Sequence, residues 1–200
     1  MVMLASAKNL LEFFRGEVSS ALQNQKLEAS QEAEFYLVNL LNEFTKTENL
    51  YTASANNTPV EEPLALMLGR AVEAPPATRN MILKKIGDIS LYIAGFFEES
   101  LARKLVDITY YVNMGGSAYH SLSALHSATG PMGQLFDELA HKFVPFTDIL
   151  SEVSDKTHFH SDSNLLLLYE KWLRTGSIRS KDLLCAEGLI PVPTATKFIQ

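Results

Sequence analysis

The chain has 200 residues, 46% of them hydrophobic and 20% charged, so it is long enough for one domain with a real apolar core. Its net charge of −6 argues against nucleic-acid binding, because the only adjacent basic pairs are Lys84–Lys85 and Arg103–Lys104. The single cysteine, Cys185, forms no internal disulfide and fits a reducing, cytoplasmic setting. No apolar run reaches the roughly 18–20 residues that span a bilayer, and the amino-terminal apolar run is broken by Lys8 and Glu12, which argues against a signal peptide or anchor.

Apolar residues recur at spacings of three and four over 5–24, through Leu10, Leu11, Phe14, Val18 and Leu22, which predicts a first helix. A second is expected over 29–46, capped by Ser30, with Phe35, Val38, Leu41 and Phe44 as its stripe and Tyr36, Leu37 and Leu40 widening it. Residues 47–60 are small and polar and predict a flexible loop. Pro63 suits the start of a short helix over 62–72. Residues 77–103 predict one long helix, or two joined near Gly95, with a main face of Leu83, Ile86, Ser90, Ile93 and Phe97.

Asp107 is placed to cap a helix over 107–126, and Gly130-Pro131 to start one over 130–152, kinked or divided at Pro145. LLLLYEKWLR predicts a further helix closed by Gly176, followed by a short one around 179–186 and an extended tail over 188–200. The whole chain, 1–200, therefore reads as an all-α, single-domain bundle of seven to eight helices.

Gly115-Gly116 lies inside good helical pattern, where two glycines cost roughly 2 kcal/mol relative to alanine. Close helix packing is the leading reading. A gap that admits an apolar ligand is the alternative, and a helix break a third.

Candidate chemistry is sparse. Glu138 and His141 have the E-x-x-H spacing that ligates metal in di-iron bundles, with His120 as a further donor. The second copy of that motif is missing, so a solvated pair on an amphipathic helix is the plainer reading. Glu34, Asp88, Glu98 and Glu99 are the other carboxylates whose helical placement looks buried. His158-Phe159-His160 is a weak chelating pattern in a loop. Tyr110, Tyr111 and Tyr119 with His120 read as core before they read as a pocket lining. Cys185 has no histidine or basic cluster near it in sequence to activate it. No nucleotide or hydrolase motif occurs. Trp172, the only tryptophan, forms an apolar flank with Leu165, Leu168 and Tyr169 that either docks on the bundle or meets a partner.

KIGDISLYIAGFFEESL, DITYYVNMGGSAYHSLS and YEKWLRTGS resemble segments of an uncharacterised family of bacterial all-helical proteins. The resemblance covers the second half of the chain and the helix before it. It implies a bacterial, cytoplasmic helical protein and brings no activity or site residue.

The functional expectation is a non-enzymatic bundle that acts through a protein partner or a second copy of itself, through Trp172, Tyr169 and Leu165. No cofactor is expected. The alternatives are an iron- or haem-dependent oxidoreductase using Glu138, His141 and His120, and an apolar-ligand carrier.

Overall fold

The computed structural model describes residues 7–44, 52–53, 59–60, 62–96, 107–127, 130–157, 165–186 and 189. They form an all-α protein of nine helices: α1 (Ala7–Asn24), α2 (Gln31–Phe44), α3 (Leu64–Glu73), α4 (Pro76–Phe96), α5 (Ile108–Leu125), α6 (Pro131–His141), α7 (Phe143–Thr157), α8 (Leu165–Thr175) and α9 (Ile178–Ala186). Within the expected 47–60 loop, Thr52–Ala53 pairs antiparallel with Pro59–Val60, Thr52 opposite Val60. Apart from Leu189, the expected tail over 188–200 lies outside the described residues, as does His158–His160.

α4 is the central element. From Ile86 to Tyr92 every residue is buried, as are Ala94 and Gly95, so it has no solvent face there. A helix that is apolar nearly all round must be surrounded. α3, α5 and α7 pack against it.

Glycine sets how close those neighbours come. A Cβ on Gly87 would run into the Tyr119 ring of α5, and one on Gly95 would lie 2.6 Å from Leu150 Cβ of α7. The helix passes unbroken through Gly95 as far as Phe96, where the described segment ends.

The ninth helix comes from the expected 130–152 element. It divides at Lys142, three residues before the proline that suggested a break. Pro145 has no N–H to donate to the carbonyl of His141, four residues back, and its ring would clash there. α6 therefore ends at His141, and Pro145 falls in the first turn of α7, where a missing donor costs nothing.

In α2 the expected stripe is buried at Val38, Leu41 and Phe44 and departs from the core at Phe35. Ala33, Leu37 and Leu40 are buried as well, but Phe35 is 66% exposed. Phe35 sits two positions from Leu37, which on a helix is nearly the opposite side. The apolar pattern was wide enough to allow either phase.

Candidate functional site

Two arrangements stand out from the ordinary core: a buried carboxylate among tyrosines, and the outer flank of α8–α9.

Asp88 lies on the fully enclosed part of α4, 5% exposed. An isolated carboxylate there would be costly, so its oxygens need donors. Three reach it. Tyr119, from α5, donates to Oδ1 at 2.7 Å. Tyr36, from α2, donates to the same oxygen. Lys84, one turn earlier on α4, places Nζ 2.5 Å from Oδ2. The Lys84 ammonium also lies 5.2 Å from the centre of the Tyr36 ring, over its electron-rich face. The two phenol rings meet edge to face, 6.2 Å apart, and Phe136 of α6 stacks on Tyr119 at 6.0 Å.

This geometry suppresses acid–base chemistry. Burial first, and the Asp88 charge second, push the Tyr36 and Tyr119 hydroxyls well above the ordinary phenol range. Both hydroxyls stay protonated as donors. With both oxygens engaged and the residue enclosed, Asp88 has no face open to a substrate. The arrangement joins α2, α4 and α5 through one anion.

Glu138 and His141, the expected metal pair, are engaged elsewhere. Glu138 accepts from the backbone N–H of Ser30 at 3.1 Å and from its hydroxyl at 2.5 Å. Lys142 donates to the same carboxylate at 2.9 Å. Ser30 in turn caps α2, its Oγ accepting from Ala33 N–H at 3.1 Å. In a capping box a glutamate three residues into the helix reaches back to the cap N–H. Here a residue of α6 does so from another part of the chain.

Burial alone would raise the Glu138 carboxyl, but the Ser30 hydroxyl and the Lys142 ammonium outweigh it and hold it below the usual 4.5. The exposed His141 places Nδ1 3.3 Å from Asp137 Oδ1. His120 is exposed on α5. Among the described residues no three His, Cys, Asp or Glu side chains are grouped to hold a metal ion.

The space beside Gly115 is filled: a Cβ there would meet the Phe143 ring and, at 2.6 Å, Ser90 Cβ. Gly116 has nothing within that reach. Ser117 and Ser121, which share one side of α5, face solvent. The glycine that admits a neighbour is Gly115. Cys185 is exposed.

On α8, Tyr169 and Trp172 are half-buried and their rings lie 5.7 Å apart. Leu173, one turn from Tyr169, is 44% exposed, and Ile178 at the start of α9 is 70% exposed. The side chain of Leu165 lies outside the described residues.

Sequence reasoning placed Asp88 among buried carboxylates and Tyr119 in the core without joining them. The available signal was Lys84 four residues before Asp88, an ion-pair spacing inside an otherwise apolar helix. Tyr36 carries no such signal, because its approach depends on how α2 crosses α4.

The chain matches no protein-family model, no curated protein and no solved structure. No helix among the described residues is long and apolar enough to cross a membrane.

Proposed function

We propose that this is a non-enzymatic helical protein of the bacterial cytoplasm that acts through protein–protein contact, first of all with a second copy of itself. The observation that carries the reading is the outer flank of α8–α9. Tyr169 and Trp172 are half-buried with their rings 5.7 Å apart, Leu173 lies exposed one turn from Tyr169, and Ile178 is exposed at the start of α9. Partly exposed Tyr and Trp side chains are enriched at interface centres. The polar groups gathered inside the bundle support the same reading, because Asp88 and Glu138 are spent on joining helices.

The test is association state. Sedimentation velocity over a concentration series should show a dimer or higher species for the natural chain, and a shift to monomer for Leu173→Glu with Ile178→Glu. Both positions face solvent in the single chain, so the substitutions leave its core intact. A natural chain that stays monomeric throughout, and retains no partner when used as bait, removes the reading.

A further inference from the structure

α8 and α9 are attached to the bundle in a different way from the other helices. The shared core of α1–α7 is apolar. Among the residues of α8–α9 whose side chains the structure describes (168–169 and 171–186), those enclosed are Lys171, Ser177, Ser180 and Leu184, three polar and one apolar.

Three cations of this hairpin each meet a carboxylate of the bundle. Lys171 Nζ lies 3.0 Å from Asp148, Arg174 2.7 Å from Asp107, and Arg179 2.5 Å from Asp155. Asp148 and Asp155 are seven residues apart on α7, two turns along one face, and Ser151 between them lies 3.4 Å from Arg179. Ser177 sits 2.8 Å from both oxygens of Asp148.

We infer that α8–α9 is an ionically latched arm, which leaves and rejoins the bundle as a unit while α1–α7 stays folded. Buried apolar surface is lost only when a core opens. An enclosed ion pair contributes little net docking energy, because desolvation offsets most of its attraction. The two outer pairs are screened by salt, since Arg174, Asp107 and Asp155 are each at least 40% exposed. Such a segment belongs at the low end of local stability.

The arm keeps its own closure when it lifts. Gly176, at φ 70°, turns the chain and donates to Trp172 O at 2.9 Å, while Ser177 Oγ accepts from Ser180 N–H at 3.0 Å. The inference concerns the isolated chain and holds whether or not the outer flank binds a partner.

Hydrogen exchange on the full chain, read beside the emission of its one tryptophan, tests this. Arg174→Gln removes an exposed pair and leaves the core untouched. Amides of 171–186 should then exchange about fivefold faster, with those of α4 and α5 unchanged. Asp148→Asn should accelerate the same amides by about 100-fold and shift Trp172 emission to the red. Added salt should act on the arm alone. Acceleration of α4 and α5 together with the arm in either variant would overturn the inference. So would loss of the whole fold in Asp148→Asn, or unchanged arm exchange in Arg174→Gln.

Discussion

Tyr119 donates to Asp88 at 2.7 Å across the α4–α5 crossing, and its ring occupies the space that a side chain at Gly87 would need. Contact between the two helices and satisfaction of the buried charge are thus one feature. Removing Asp88 strands two phenols and leaves the half-exposed Lys84 ammonium to water; removing the Tyr119 hydroxyl leaves Asp88 with two of its three donors. Asp88→Ala leaves two phenol donors unsatisfied and should cost about 2–4 kcal/mol of unfolding free energy, and Tyr119→Phe about 1–2 kcal/mol. Denaturant unfolding monitored by circular dichroism measures both. Equal, small losses would show that the carboxylate is not the shared acceptor.

The adjacent glycines of α5 should respond in opposite directions. Gly115 faces Phe143 and Ser90, so Gly115→Ala forces apart a packed contact and should destabilise by about 1–3 kcal/mol. Gly116 has open space, so Gly116→Ala should stabilise by about 0.5–1 kcal/mol through helix propensity alone. Melting temperatures of the two variants give the comparison. If both rise, the α4–α5 distance is wider than described.

Alkaline pH probes the buried phenols. Tyr36 and Tyr119 have raised folded values, first through burial, and unfolded tyrosine titrates near 10. Their contribution to stability is therefore full below pH 10 and declines as pH rises from there toward the folded values. The slope is about 1.4 kcal/mol per pH unit for each tyrosine. Tyr92, pushed up to about 12 by burial, adds to it in the lower part of that window. Phenolate absorbance should show that Tyr36 and Tyr119, of the seven tyrosines, ionise only as the chain unfolds. A smooth titration of all seven near pH 10 with the helices intact would contradict the enclosure of the pair.

The Glu138–Ser30 contact has the opposite sign. Its folded carboxyl is depressed, so its contribution is present above 4.5 and is lost as pH falls through the folded value. Ser30→Ala should cost about 1 kcal/mol at neutral pH through loss of the α2 cap. Glu138→Gln should flatten the acid limb of the stability curve. An acid limb identical to that of the natural chain would remove Glu138 from the α2 cap.

The helices were legible because their determinants are local. Apolar spacing, the Ser30 and Asp107 caps and the Gly176 stop all work within a turn or two of chain. Asp107 does cap α5, accepting from Thr109 N–H at 3.3 Å. The features that differ depend on distant partners. Phe35 faces outward because α2 meets the bundle through Leu37 and Leu41, a phase its own wide apolar pattern leaves open. Glu138 and His141 show a ligand spacing, but Ser30, 108 positions away, determines what Glu138 does. The ionic attachment of α8–α9 likewise joins residues that no periodicity links: in LLLLYEKWLR, among the side chains the structure describes, the enclosed one is Lys171.

The claim that this chain works by association is tested most directly by sedimentation velocity on the 200-residue chain beside Leu173→Glu/Ile178→Glu. The account predicts a concentration-dependent dimer or larger species for the natural chain and a monomer for the variant, with both equally helical. A natural chain that sediments as a monomer at every concentration and retains no partner when used as bait, or a variant that associates just as strongly, would contradict it.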